Sequence, residues 1–285
     1  MKNQHLTYIF ELNIAMLFIS TSGVLGRYIA MPPALTIWWR CLIAAILLGA
    51  YCWYTKVNFS ISSKKDWKSY LLSAFFLGAH WVTYFYALHL SNVAIGMLSL
   101  FTYPIITVLL EPLFFKTTLN PKHLGLGILV LLGIYFLTPD LDFNNNHTKG
   151  VFFGLISSLF YALRNILTKK HLSKFNPSKV MFYQLTFILF MLWPAFFLVD
   201  YQPIATDWKI LAVLAIATTA IGHTLFVRSF KNFTISTVSI MSSVQPIYGV
   251  LYGVLFLSEI PKGSTILGGL LILTTVVIES IQSKN

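Results

Sequence analysis

Charged residues are scarce in this sequence, and acidic ones especially so. Of 285 residues only 10% are charged, with 9 acidic and 20 basic side chains, while 56% are hydrophobic. This composition excludes an ordinary water-soluble globular protein and indicates a chain that crosses a membrane several times. The formal net charge of +11 would favour nucleic-acid binding in a soluble protein. Here the basic residues follow the predicted membrane loops, so no nucleic-acid partner is expected.

Cysteine is almost absent. Cys41 and Cys52 lie about three turns apart in one predicted helix, so they cannot form a disulfide with each other, and two cysteines alone hold no metal. No nucleotide-binding loop, zinc-protease helix motif or nucleophile elbow occurs, which leaves an ATP-driven pump or a membrane hydrolase without support. No enzyme activity, cofactor or metal is therefore expected. No small-residue cleavage site follows the first apolar run, which is interpreted as an uncleaved helix.

Long apolar runs are abundant, and polar turns separate them into ten predicted spans. The spans cover residues 7–27, 34–54, 68–90, 93–115, 122–139, 150–170, 180–199, 208–229, 235–257 and 263–281. The polar stretch 140–149 divides them into a first repeat, residues 1–139, and a second repeat, residues 150–285. We therefore predict an all-α membrane protein with ten transmembrane helices in two inverted-topology repeats of five.

The basic residues indicate the orientation. If the amino terminus is cytoplasmic, 14 basic residues fall on cytoplasmic segments and 4 on the other side, while Arg40 and Arg164 lie inside spans. This asymmetry predicts that both termini are cytoplasmic. Because five spans per repeat is an odd number, the second repeat must cross in the opposite direction. Inverted repeats of this kind generally place a substrate site near the bilayer midplane.

The fourth span has a copy 142 positions later, which supports the duplication. Residues 94–115 align with residues 236–257, and six of the 22 positions are identical, including Pro104 with Pro246. In the first copy Ser99, Tyr103, Thr107 and Glu111 recur every four residues and share one helix face. In the second copy the same face has Met241, Gln245, Gly249 and Gly253, which predicts free space beside the glycines.

Several motifs together resemble the drug/metabolite transporter superfamily, specifically its EamA-like branch, over essentially the whole chain. They are the ten spans, Trp38-Trp39-Arg40 in the second span, Tyr86-Ala87-Leu88 before Ala94, the mid-helix prolines, Ser258-Glu259 after the ninth span, and Gly127 and Gly268 in the last span of each repeat. The resemblance implies a carrier with a central cavity that moves small metabolites, often amino acids, outward. It also implies a structural role for Arg40. The chain departs from the pattern at Phe115-Lys116-Thr117, which lacks the acid that Glu259 supplies in the second repeat.

Polar residues inside the predicted spans are the candidate site residues, because such groups are costly in a membrane. The expected substrate-binding residues are Tyr103, Gln245, Tyr248, His80, Tyr84, Tyr161, Asn165 and His223, and the expected proton-coupling or charge-binding residues are Glu111 and Arg164. Arg164 suits a carboxylate, although it could instead extend to the interface. Glu111 could titrate during transport or face lipid headgroups. Each histidine could instead be a buried donor to a backbone carbonyl, and each proline kink a packing feature.

The predicted function is secondary-active export of small metabolites such as amino acids, by alternating access through a central cavity. Import of a sugar, nucleoside or nucleotide-sugar is the alternative that the same architecture allows. An ion channel or a structural membrane protein is the alternative from another class. The expected partners are a small-molecule substrate, the lipid bilayer and protons as a candidate coupling ion, with a monomer or homodimer in a bacterial inner (plasma) membrane.

Overall fold

The structure is a computed structural model that describes residues 2–61, 63–115, 122–137, 142–199 and 207–282. Within these ranges the regular elements are helical. The α-helices are α1 (Lys2–Tyr28), α2 (Pro33–Tyr54), α3 (Lys64–Leu90), α4 (Val93–Leu100), α5 (Tyr103–Phe115), α6 (Lys122–Leu137), α7 (Asn146–Leu167), α8 (Pro177–Leu192), α9 (Ala195–Leu198), α10 (Asp207–Val213), α11 (Thr224–Asn232), α12 (Ile235–Met241), α13 (Val244–Leu257) and α14 (Gly263–Gln282). A π-helical turn, Thr168–Leu172, continues α7, and a π-helical segment, Leu214–His223, joins α10 to α11.

The predicted spans agree with these helices in place and nearly in length. Eight helical stretches are long and apolar enough to cross a membrane, and 125–137 and 263–278 form two shorter apolar helices. The chain is thus a helical membrane protein. Several boundaries differ from prediction by a few residues: α1 begins at Lys2 and α3 at Lys64, and α7 begins at Asn146, inside the segment expected to be a linker. The Asn145 side chain caps this helix by accepting a hydrogen bond of 2.8 Å from the backbone N–H of His147.

The fourth predicted span is not one continuous helix. It breaks at Phe101 and Thr102, just before Pro104, which lies in the first turn of α5. A proline ring clashes with the carbonyl four residues earlier, and it is tolerated where a helix starts because its missing N–H has no partner to lose there. The matching span breaks in the same way at Ser242 and Ser243, before Pro246.

The helices pack as one bundle around a shared apolar core. Residues on both halves of the chain contribute to it, from Leu12 in α1 to Ile272 in α14. Contacts between the halves join α3 to α7, α2 to α8, α6 to α14, α4 to α13, and α1 to both α13 and the π-helical segment. Several polar side chains of these helices, including His80, Ser157 and Thr219, are buried within this bundle.

The two ends of the bundle differ in charge. The end that we call the lysine-rich end carries Lys56, Lys64, Lys65, Lys174 and Lys179, where α2 finishes and α3 and α8 begin. At the opposite end α1 finishes and α4 begins. Helix α1 begins at the lysine-rich end, whereas α7 begins at the opposite end, so these two helices run in opposite directions.

Candidate functional site

A histidine, a serine and a tyrosine form the centre of the candidate site. His80 of α3 is 3% exposed, and its Nδ1 lies 2.7 Å from the Ser157 hydroxyl of α7. The same hydroxyl donates a 2.9 Å bond to the His80 backbone carbonyl. Because a serine has one hydrogen to donate, Nδ1 must be the donor to Ser157. The Nε2 of the neutral ring is thus left as the hydrogen-bond acceptor.

Stacked aromatic rings extend this centre. The rings of His80 and Tyr161 are 4.3 Å apart and nearly parallel, and Tyr103 meets Tyr161 edge-on at 4.8 Å. Tyr84 lies one turn from His80, with ring centroids 6.1 Å apart. All four side chains are buried. The sequence thus predicted four residues from three separate helices that the structure brings together.

Arg164 forms a second polar group one turn along α7 from Tyr161. The side chain is completely buried, so the alternative of an arginine extending to the interface is wrong. Its Nη1 donates to Asn165 Oδ1 at 3.1 Å, and its Nη2 donates to Gln184 Oε1 at 2.9 Å. Gln184 in turn donates to Ser73 at 2.9 Å. Neutral amides therefore orient the guanidinium, while its Nε has no hydrogen-bond partner among the described residues.

Arg40 forms a third polar group, across the core on α2. Its guanidinium carbon lies 4.2 Å from the centre of the Trp81 ring, and its Nε donates to the Thr219 hydroxyl of the π-helical segment. His223, at the end of the same segment, meets Trp81 edge-on at 5.1 Å. Trp81 and His223 are aligned positions of the two halves. Arg40 Nη1 and Nη2 and His223 Nδ1 have no hydrogen-bond partner in the described part of the chain.

Both buried arginines lack an acidic partner within the described ranges. The salt bridges found there join Arg27 to Glu259, Lys174 to Asp66 and Arg228 to Glu11, all at the ends of the bundle. An arginine at the centre of a bilayer costs about 2.5–3.5 kcal/mol on insertion scales. A cation–π contact returns about 0.5–2 kcal/mol, so the Trp81 ring offsets only part of this cost for Arg40.

The remaining predicted site residues lie elsewhere. Gln245 is buried at the α12–α13 break, where its backbone carbonyl accepts a 3.0 Å bond from Ser20 of α1. Tyr248 is half-buried and packs at the edge of the apolar core. Glu111 is half-buried in α5, near the lysine-rich end, and the next turn ends at Phe115 beside Lys170. The structure does not bring these three side chains to His80.

The free space predicted beside the second-copy glycines does not exist. A side chain at Gly249 would place its first carbon 2.7 Å from the Met97 methyl group, and one at Gly253 would lie 3.2 Å from Val93. Both glycines thus allow α13 to pack closely on α4. The hydroxyls of the first copy are also occupied, because Ser99 and Thr107 donate to carbonyls of their own helices.

An ion-pair cluster closes the end opposite the lysines. Arg27 Nε lies 3.0 Å from Glu259 Oε1, and Glu259 Oε2 accepts a 2.7 Å bond from the backbone N–H of Val93. Ser258 adopts a left-handed conformation with φ 56°, which turns the chain so that the N–H groups of Ser258 and Glu259 both donate to the Gly253 carbonyl. We call Arg27, Val93 and Glu259 the latch, since it joins α1, α4 and the end of α13.

A groove opens at the lysine-rich end. It has a volume of about 740 Å³ and lies between the ends of α1, α2, α8 and α11, with Leu48, Ala220, Thr224 and Arg228 among its walls. Ala220 and Thr224 directly follow Thr219 and His223 in the chain. The groove therefore reaches the segment that holds the Arg40 group.

The model of one protein family matches the chain twice, over residues 6–138 and 148–281, and its description is "EamA-like transporter family". The protein belongs to the EamA-like transporter family. An uncharacterised transporter of Bacillus subtilis, YxxF, is 22% identical to this family member over 99% of the chain and 92% of the relative. The pseudopaline exporter CntI of Pseudomonas aeruginosa is 23% identical over 89% of the chain and 88% of the exporter. A solved crystal structure with 18% identity superposes with a TM-score of 0.72, covering 98% and 99% of the two chains, which shows the same fold.

Family membership makes this protein a membrane transporter rather than an enzyme. Three central residues of this EamA-like transporter were missed or undervalued from sequence. Ser157 and Thr219 give no signal, because serine and threonine inside a span are typical of helix packing. Arg40 was assigned a structural role by resemblance, and its two unpartnered amino groups become evident only in the fold.

Proposed function

We propose that this protein is a secondary-active exporter of small polar metabolites that works by alternating access, with ten crossings arranged as two inverted repeats. The observation that carries the proposal is the central cluster around His80, Ser157 and Tyr161, which buries polar groups between the two halves of a membrane bundle. Polar groups in such a position typically mark a substrate pathway.

The pairing of helices supports the inverted repeats. The packing of α3 on α7 has a counterpart in that of the π-helical segment on α1, and the packing of α5 on α7 has one in that of α13 on α1. The caps repeat too: Asn92 accepts from the backbone N–H of Ile95, and Thr234 accepts from that of Thr237. Asn92 and Thr234 are 142 positions apart, and so are Ile95 and Thr237.

The two ends of the bundle support alternating access. The latch holds α1, α4 and α13 together at one end, while the groove remains open at the other. By the distribution of lysines, the groove faces the cytoplasm of a bacterial inner membrane, with both termini on the same side. We infer a state that is open inward, ready to receive a substrate for export. The name of the pseudopaline exporter favours the outward direction for this chain as well.

Counterflow in proteoliposomes tests the function. Vesicles containing the purified protein and an unlabelled metabolite should accumulate the labelled compound transiently above equilibrium, because a carrier exchanges one molecule for another. A channel would show equilibration without overshoot. Loss of overshoot across a panel of amino acids, carboxylates and neutral metabolites would remove the carrier proposal.

A further inference from the structure

Several atoms around the central cluster are left without a hydrogen-bond partner among the described residues. The hydroxyls of Tyr84 and Tyr103 and the Nδ1 of His223 can each donate or accept, whereas four nitrogen atoms can only donate. Arg40 Nη1 and Nη2, Arg164 Nε and Asn165 Nδ2 are all buried, all lack a hydrogen-bond partner within the described residues, and all are N–H donors. An ammonium group or another donor would leave them unsatisfied. A carboxylate, which only accepts hydrogen bonds, would satisfy them.

The donors form two groups rather than one. The Arg40 group consists of Arg40, Thr219 and His223, and the Arg164 group consists of Arg164, Asn165 and Gln184. Trp81 of α3 contacts both Arg40 and His223, and its neighbour His80 stacks on Tyr161, which is one turn from Arg164 in α7. The two groups therefore belong to one site, with Trp81 and His80 between them.

The arginines at the ends of the bundle have acidic partners, and the two at the centre have none among the described residues. Arg27 is paired with Glu259 and Arg228 with Glu11, and all four of these side chains keep some contact with solvent. Arg40 and Arg164 are fully buried and have no acidic partner in the described ranges. Within a membrane bundle, a charge supplied by a ligand can take the place of the missing acid.

We propose that the transported metabolite carries two acidic groups, one held by Arg40 and the other by Arg164. Arg40 presents both of its amino groups, the arrangement that binds a carboxylate through two parallel hydrogen bonds. Arg164 presents Nε beside the Asn165 amide. This inference rests on the proposed carrier function and adds the substrate class, a dicarboxylate.

The groove lies beside this site. Thr224, whose hydroxyl is buried without a hydrogen-bond partner among the described residues, lines the groove next to His223. Arg228 and Lys231 lie at the same mouth, so an anion entering there meets positive charge first.

A ligand series on the wild-type protein tests the proposal without changing its folding. Succinate, glutarate and glutamate are compared with the compounds in which one carboxylate, and then every carboxylate, is an amide, by thermal stabilisation and by competition in counterflow. A diacid should act at a concentration at least about 30-fold lower than its monoamide, since deleting one partner of a buried charge pair has an effect of this size. Equal potency of diacids and full amides, or no effect of any diacid, would overturn the proposal.

Two variants locate the charges. Arg40→Gln and Arg164→Gln should each abolish the preference for a diacid over its monoamide, while Lys209→Gln, at an exposed lysine of α10 outside the groove, should keep it. If Arg40→Gln does not fold, Arg164→Gln and the ligand series still decide. Counterflow of neutral metabolites with no competition by diacids would refute the dicarboxylate while leaving the carrier intact, whereas no counterflow of any compound would refute the carrier itself.

Discussion

At one end of the bundle, Arg27, Glu259 and the Val93 backbone join three helices through charged hydrogen bonds, two of which are 3.0 and 2.7 Å long. At the lysine-rich end, Arg228 and Glu11 also form an ion pair, at 3.4 Å, but it lies beside an open groove and the arginine is half exposed. An arginine–glutamate pair thus joins the helices at one end, whereas the same kind of pair at the other end lies beside an open groove. The difference lies in burial and in the extra backbone donor, because exposed ion pairs contribute little to stability.

The largest expected effect comes from filling the groove. Ala220→Trp should reduce counterflow by at least about tenfold, because an indole in the groove must be displaced at every transport cycle. Leu131→Trp is the control, since Leu131 is exposed on α6. Counterflow that is equal in the two variants would show that the substrate does not pass through the groove.

Opening the latch should have the next largest effect. Glu259→Gln removes the charge that holds Arg27 and weakens the bond to Val93, so the closed end should open more often. We place a cysteine at Tyr252, near this end of α13, and measure its reaction with an impermeant maleimide. The reaction should be about tenfold faster with Glu259→Gln than without it, and the effect is no larger because Arg27 is partly exposed. An unchanged labelling rate in the Glu259→Gln background would show that the latch does not control this end.

Removing the acid near the lysine-rich end of α5 should change the response to pH. With Glu111→Gln, the transport rate should vary by less than about twofold over the pH range in which the wild-type rate changes, because glutamine cannot exchange a proton. Rates are measured in proteoliposomes with equal pH on both sides. Asp142→Asn, in an exposed loop, is the control, and a wild-type profile in the Glu111 variant would exclude that residue from coupling.

The smallest effect is expected at the exposed ion pair. Glu11→Gln should change counterflow and thermal stability little, with rates within about twofold of wild type, because solvent screens the charges. The comparison between the ends predicts this contrast with Glu259→Gln. A tenfold effect of Glu11→Gln would mean that both ends are held by charge in the same way.

The sequence predicted the positions of the helices well, because apolar runs and breakers are local signals. It predicted continuous spans with a kink at Pro104 and at Pro246, whereas the structure interrupts both helices two to four residues before the proline, where the ring would clash with a carbonyl. His80, Tyr84, Tyr103 and Tyr161 were chosen as polar groups within spans, and the structure places them side by side.

What could not be predicted depends on contacts between distant helices. Nothing local shows that Met97 fills the space at Gly249, that Ser157 faces His80, or that Gln184 orients Arg164. The π-helical segment is a similar case, since its residues have no composition that distinguishes them from an α-helix.

That segment, Leu214–His223, has more residues per turn than the helices on either side. If this segment changed to α-helical geometry, the extra residues in its turns would shift along the chain. Helix α11 would then rotate about its own axis by roughly 100° for each residue shifted. Thr219 and His223 would then leave Arg40 while Arg228 and Lys231 swing around the mouth of the groove. A change in the winding of this segment can therefore couple the release of a substrate at the centre of the bundle to a change in the shape of the groove mouth.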